Sequence, residues 1–249
     1  MIHTQADINI YILGAHELAY SYYNKLSQHN KNLNAYQSIY LIESNPDNYA
    51  QQKLSEQGID STQIIKSISY HDFLIQAALD PHHHQGVLIP DHTAYHVLLK
   101  VFMDVVSASS NWSATLAPMR SDLKFPYTLA LQEGSLNAIS FATGTCPLYC
   151  DEPAHCPLIN DARTWDLQSI TRTDLLPVAE VKDQCVLFYD FACAVLIPEV
   201  SAIPMLDIIS KINDFKNKLK TTPPKRVYVF THSHCHGIVG NFMLKKISD

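Results

Sequence analysis

The first 108 residues alternate between short apolar runs and segments in which apolar residues recur at helical spacing. The apolar runs have the length and composition of β-strands and cover residues 7–13, 38–43, 63–68 and 86–89. The helical segments that follow them cover residues 16–28, 49–57, 70–79 and 93–108. Gly58 and Asp80-Pro81 supply stop signals after the second and third helices. Four consecutive βα units predict a parallel sheet with helices on both faces.

The alternation stops between about residues 117 and 183. Two apolar runs, residues 127–131 and 136–141, flank the polar stretch Gln132-Glu133-Gly134-Ser135, a pattern typical of a β-hairpin. A loop-rich passage with clustered cysteines follows. We therefore predict a Cys-rich hairpin and loop insertion within a single α/β domain that spans residues 1–249.

The α/β pattern returns after this region. The sequence predicts a strand at residues 185–190, a helix at 204–219, a strand at 226–231 and a last helix at 237–246. Residues 232–236 (HSHCH) form the turn before that last helix. The predicted fold class is thus a Rossmann-like, doubly wound α/β fold with a mainly parallel sheet.

Polar residues come directly after several predicted strands. In an open parallel sheet, ligands bind outside the carboxyl ends of the strands, so we expect these residues to share one edge. They are Gly14-Ala15-His16-Glu17, Glu43, Asp91-His92, Asp190 and the turn at 232–236. Imidazole and carboxylate groups are the usual proton-transfer groups of enzymes, so the candidate catalytic residues are Asp91, His92, His232 and His234.

Composition excludes several classes of function. The net charge is −6, and lysine and arginine do not cluster beyond a pair, which argues against binding to nucleic acid. The longest apolar run is too short for a membrane span, and the first residues do not read as a secretory signal. We expect a cytoplasmic protein with a small-molecule ligand and no membrane partner; the sequence leaves the oligomeric state open.

Cysteine usage points to a metal or a cluster. Cys146, Cys150 and Cys156 lie within eleven residues, interspersed with prolines, in the spacing C-x3-C-x5-C. Thiolates bind Zn2+ and iron–sulfur clusters, so a [4Fe–4S] cluster and Zn2+ are both candidates. Cys235 is the candidate fourth ligand; the alternates are His155, His234 and His236. The competing interpretation is a set of free, partly buried thiols.

Glu43 ends the second predicted strand, and Gly14 and His16 stand in the first strand–helix turn. On these residues the stretch from about 7 to 108 resembles Rossmann-like nucleotide-binding domains, distantly those of potassium-uptake regulatory proteins. That family places an acid on the ribose hydroxyls at the position of Glu43, and its phosphate turn is G-x-G-x-x-G, of which the chain has Gly14. The resemblance implies an NAD-like nucleotide at Gly14, His16 and Glu43; the alternative is a likeness of fold alone.

Three functions follow from these patterns. The first is a metal- or iron–sulfur-containing Rossmann-like protein, a redox or metal-dependent enzyme that acts on a small anionic or nucleotide-like ligand. The second is a non-catalytic nucleotide- or anion-binding regulatory module with a structural zinc site. The third is thiol chemistry at Cys235 with a neighbouring histidine as base. Backbone N–H groups of the turn at 232–236 could also bind an anion.

Overall fold

In a computed structural model, the chain is described over residues 8–90, 96–109, 111–118, 127–131, 135–140, 152–163, 166–170 and 186–247. The predictions for Asp91, His92, Cys146 and Cys150 therefore lie outside the described residues. The Cα positions divide the chain into two units, Met1–Val97 with Ala194–Ser210 and Leu98–Cys193 with Lys211–Asp249. Such a unit need not fold alone, so the single domain over residues 1–249 stays a prediction.

Strands and helices follow one another in a mixed α/β order, which confirms the α/β class. The strands are β1 (Asn9–Leu13), β2 (Ser38–Ile42), β3 (Ile65–Lys66), β4 (Val87–Ile89), β5 (Trp112–Leu116), β6 (Tyr127–Leu131), β7 (Leu136–Ser140), β8 (His155–Cys156), β9 (Asp161–Ala162), β10 (Val186–Ala192), β11 (Ala194–Ile197), β12 (Val200–Pro204), β13 (Arg226–His232) and β14 (His236–Lys246). The α-helices are α1 (Glu17–Leu33), α2 (Tyr49–Glu56), α3 (Tyr70–Ala77), α4 (Val97–Ser107), α5 (Leu167–Ile170) and α6 (Met205–Thr221). Short 3-10 helices cover Ser61–Gln63 and Pro81–His83.

The first unit contains a six-stranded sheet in the order β11-β12-β4-β1-β2-β3. The strands β3, β2, β1 and β4 are parallel, as predicted, and β12 joins β4 antiparallel. Alternate residues of β1 face opposite sides of this sheet. Ile10 and Ile12 pack into a core with Leu26 of α1 and Leu54 of α2, whereas the Tyr11 ring lies 4.9 Å from Phe73 of α3. Both faces of β1 are therefore covered, which is why this strand is continuously apolar.

The second unit contains a sheet in the order β10-β13-β14-β7-β6, with β5 also paired to β14. Only β10 and β13 run parallel among its described strands; the other pairs are antiparallel. An aromatic core packs in this unit, with ring centroids 5.1 Å apart for Phe102 and Phe215 and 4.8 Å for Phe102 and Tyr189. Aromatic pairs at these distances bury large apolar areas and stabilise the unit.

Two predictions about this second sheet are wrong. The last helix, predicted at 237–246, is the strand β14. Its residues find hydrogen-bonding partners on β13 along one edge and on β7 and β5 along the other, and this pairing outweighs the local helical spacing. The sheet is also not mainly parallel, because the β13–β14 connection and the correctly predicted β6–β7 hairpin reverse the chain.

The described strand-end residues do not share the edge of one sheet. Gly14 and Glu43 follow strands of the first sheet, whereas Asp190 and His232 belong to strands of the second. Each sheet therefore has its own group of polar residues at its strand ends. No helix among the described residues is both long and apolar enough to cross a membrane.

Candidate functional site

Among the described residues of the second unit, the hairpin turn between β13 and β14, residues 233–235, brings together histidine, cysteine, serine and carboxylate side chains. Beside it lie the carboxyl ends of the parallel pair β10 and β13, where Ala192 is the register partner of His232. Asp190 of β10 and His232 of β13 meet there, with Asp190 Oδ2 4.0 Å from His232 Nε2. The expected neighbourhood of these two residues is confirmed, in a sheet that is otherwise antiparallel.

His232 is held in one tautomer. Its ring is 4.4 Å from the Phe230 ring in a stacked arrangement, and its Nδ1–H donates to the Ser233 carbonyl at 2.9 Å. A carbonyl oxygen only accepts, so Nδ1 carries a proton, and Nε2 lies beside the Asp190 carboxylate. Lys211 Nζ donates to the backbone carbonyl of Asp190 and lies 3.9 Å from the side-chain Oδ1 of Asp190. The Asp190 carboxylate is thus held beside a lysine and a buried imidazole.

The Glu152 carboxylate accepts hydrogen bonds from the hairpin turn. The backbone N–H of Cys235 donates to Oε1 at 3.0 Å, the N–H of His234 donates to Oε2 at 3.1 Å, and the Ser233 hydroxyl donates to Oε1. Arg163 Nη1 lies 3.7 Å from Oε2, and only 9% of the Glu152 side chain is exposed. Three donors, the Ser233 hydroxyl and the N–H groups of His234 and Cys235, together with the Arg163 guanidinium as an ion-pair partner, form what we call the anion cradle.

Arg163 joins the cradle to the Cys235 thiol. Its Nη1 donates to Cys235 Sγ at 3.4 Å, and its backbone N–H donates to the Ala154 carbonyl at 2.7 Å. Cys235 is buried. The Arg163 guanidinium therefore contacts both the Cys235 sulfur and the Glu152 carboxylate.

The other histidines and thiols of this unit have different surroundings. His234 is exposed, and its Nδ1 lies 3.1 Å from Asp166 Oδ1. Burial lowers the pKa of His236, although Glu152 Oε1, 3.6 Å from its Nδ1, acts in the opposite direction. Burial, and then the Glu152 carboxylate, raise the pKa of the Cys193 thiol to about 12, so this thiol stays protonated at neutral pH.

The predicted metal ligands are only partly described. Cys156 is buried in β8, and the neighbouring His155 is exposed with Nε2 3.4 Å from Asn160 Oδ1. Within the described ranges, no three His, Cys, Asp or Glu side chains are arranged to hold a metal ion. Because Cys146 and Cys150 fall outside those ranges, the metal site remains a prediction.

A groove of about 750 Å3 crosses one face of the first sheet. Tyr11 of β1 and Tyr40 of β2 are register partners, their rings lie 5.8 Å apart in a stacked arrangement, and Lys66 Nζ sits 4.4 Å above the Tyr40 ring. Glu43 and Phe73 also line this space, which we call the tyrosine groove. Its volume is that of a small-molecule pocket.

Polar contacts fix the ends of the tyrosine groove. Glu43 Oε1 accepts from the Asn45 N–H at 2.8 Å. At the other end the Tyr11 hydroxyl lies 2.7 Å from His83 Nδ1, and His83 Nε2 lies 3.6 Å from Asp80 Oδ2. Burial raises the pKa of Tyr11 to about 12 and, with the neighbouring histidines, lowers that of His83. Tyr11 is therefore a neutral hydroxyl at physiological pH.

Gly14 and His16, the other two predicted nucleotide-binding residues, have local structural roles. Gly14 has φ 95°, and its N–H donates to the Ile42 carbonyl at 2.9 Å. His16 caps α1 by accepting from the Ala19 N–H through Nδ1 at 3.4 Å. Neither is among the described residues that line the tyrosine groove, whereas Glu43 is.

Sequence reasoning missed Glu152, and it also missed the pair Tyr11 and Tyr40. A signal existed for the tyrosines, since each is the third residue of its strand and parallel pairing in register places them side by side. None existed for Glu152, whose hydrogen bonds are with residues about eighty positions away.

The family comparison concerns the later part of the chain. Residues 94–245, more than half of the chain, match the family model AF_1314_C, described as "Uncharacterized protein, C-terminal domain". The chain belongs to this family. The AF_1314_C match contains the whole anion cradle with Asp190 and His232, and it begins after the residues of the tyrosine groove. No curated protein and no solved structure gives a significant match.

Proposed function

We propose that the first unit is a Rossmann-like module that binds a nucleotide-like small molecule in the tyrosine groove. The observation that carries this proposal is the grouping of Tyr11, Tyr40, Lys66 and Glu43 along one groove. The parallel order β3-β2-β1-β4, with an acid directly after β2, supports it, because nucleotides bind to this kind of sheet.

Each of these side chains suits one part of such a ligand. The Tyr40 ring, half-buried beside Tyr11, offers an aromatic face to a planar base. The Glu43 carboxylate can accept hydrogen bonds from ribose hydroxyls. Lys66 is a cation that can turn from the Tyr40 ring towards a phosphate. The chain lacks a glycine-rich phosphate turn, so binding depends on these side chains rather than on a helix N-terminus.

Calorimetric titration of the full chain with AMP, NAD+ and ATP tests the proposal. We expect at least one of them to bind, and Glu43→Gln to weaken that binding about tenfold or more, because a hydrogen bond to a charged group is worth about 1.5–3 kcal/mol. The matched control is Glu56→Gln, which removes an exposed carboxylate of α2 that pairs with Lys53 and is not part of the groove lining. If none of the three binds at millimolar concentration, or if both variants bind like the wild type, the proposal is wrong.

A second candidate is a thiolate-bound metal or iron–sulfur centre in the second unit, with redox or metal-dependent chemistry. The observation that favours it is the contact of residues 152–163, which follow Cys150 and include Cys156, with the turn that carries Cys235. Elemental analysis and an absorption spectrum of anaerobically purified protein test it. A metal-free protein would refute this candidate and leave nucleotide binding untouched. Metal loss in Cys235→Ser would support the distant ligand.

A further inference from the structure

We propose that the anion cradle is a binding site for a small carboxylate or phosphate anion and that Glu152 closes it from within. The groups of the cradle already converge on both oxygens of one carboxylate. Two backbone N–H groups, one hydroxyl and a guanidinium surround one carboxylate, which is a combination that proteins use to bind free oxyanions.

Glu152 reaches the cradle from a separate part of the chain. It precedes the turn by about eighty residues, and its own backbone has φ 54°, in the left-handed region. The turn itself does not need Glu152 to close, because the Ser233 N–H donates to the His236 carbonyl at 2.8 Å and β13 and β14 pair along seven residues of each strand. Glu152 therefore behaves as a tethered ligand of a turn that other contacts hold together.

The geometry also indicates what displacement would change. The Glu152 charge raises the pKa of the Cys193 thiol, after burial, and Glu152 lies beside Arg163, whose Nη1 donates to the Cys235 sulfur. An anion that displaced Glu152 would keep the charge of the cradle and break the three hydrogen bonds between Glu152 and the turn. The cradle thus couples anion binding to the contacts of residues 152–163 with the turn. This proposal is independent of the tyrosine groove.

The test removes the internal ligand and offers free anions to the full chain. Thermal unfolding of Glu152→Ala is followed with sodium formate, sodium acetate or inorganic phosphate at constant ionic strength, beside the wild type. The matched control is Glu199→Ala, which removes another glutamate with a left-handed backbone, at φ 68°, an exposed residue that pairs with Lys25. An anion that binds only the folded state raises the unfolding temperature in a saturable way.

We expect saturable stabilisation of Glu152→Ala, with an apparent dissociation constant at least about tenfold lower than in the wild type, where the tethered carboxylate competes at high effective concentration. The amide NMR signals of His234 and Cys235 should move along the same curve. Formate and acetate acting without phosphate would identify a carboxylate ligand, and phosphate acting alone would identify a phosphoryl group.

The proposal is overturned if none of the three anions stabilises Glu152→Ala more than it stabilises Glu199→Ala. It is also overturned if the His234 and Cys235 amides do not respond. A Glu152→Ala chain that is unfolded without anion keeps the test decisive, because formate, acetate or phosphate must then restore its folded circular dichroism spectrum.

Discussion

Gly237, the second residue of β14, has no room for a methyl group. A Cβ at this position would lie 2.6 Å from the Thr231 carbonyl oxygen, 2.6 Å from His232 Cβ and 2.7 Å from Phe230 Cε2. Real Cβ atoms essentially never come within 3.0 Å of such atoms. Two of the three neighbours are rigid, since Thr231 O belongs to the backbone of a strand paired on both sides and His232 Cβ lies next to that backbone.

We expect Gly237→Ala to destabilise the second unit strongly. Overpacking typically costs about 1–3 kcal/mol, and three simultaneous clashes with little room to relax place this substitution at the upper end, about 3 kcal/mol. The comparison variant is Gly58→Ala, where a Cβ meets nothing within 4 Å but φ is +70°. Its cost is that of a left-handed alanine, about 1–2 kcal/mol.

Urea unfolding followed by tryptophan fluorescence measures the first variant, because Trp112 lies in β5, which pairs with β14. Circular dichroism measures the Gly58 variant in the first unit. The shift of each urea midpoint, multiplied by the denaturant slope of that variant, gives its loss of unfolding free energy. We expect this loss to be larger for Gly237→Ala than for Gly58→Ala. An unchanged midpoint for Gly237→Ala would show that the hairpin accommodates a side chain and that its packing is looser than these distances indicate.

Two further predictions concern the half-buried His83 and the fully buried Asn241. Burial lowers the pKa of His83 in the folded chain below its usual 6.5. At acidic pH the unfolded chain therefore binds more protons than the folded chain. The free energy of unfolding should be highest above about pH 6.5 and fall as the pH drops towards the pKa of His83 in the folded chain. Urea midpoints at pH 7.5 and 5.5 should therefore differ less in His83→Gln than in the wild type, and an equal difference would contradict this role. Asn241 is fully buried and donates through Nδ2 to the Ala117 carbonyl at 2.8 Å. Asn241→Leu should cost about 1–3 kcal/mol in urea unfolding because it leaves this carbonyl unpaired, and a stability within error of the wild type would refute that reasoning.

The sequence by itself determined the strands and helices that can be predicted from the hydrophobic pattern of their own residues. The four βα units before residue 108 have apolar runs and helical spacing that local propensity and burial both favour. The hairpin at 127–140 and the helix α6 are predicted correctly for the same reason. The position of Glu43 at the ligand-binding edge of the first sheet could also be predicted, because the order of strands and helices along the chain shows that Glu43 directly follows the carboxyl end of a parallel strand.

Only the tertiary structure decided the last element and the second site. Residues 236–246 become a strand because β13, β7 and β5 offer backbone partners, and that pairing energy is absent from the local pattern. The turn at 233–235 was expected to present N–H groups to an anion as a helix start; it presents them as a hairpin turn, to Glu152. That contact joins residues about eighty positions apart through a few hydrogen bonds. Residue spacing and composition do not encode such a pairing, because any carboxylate of the chain could have made it.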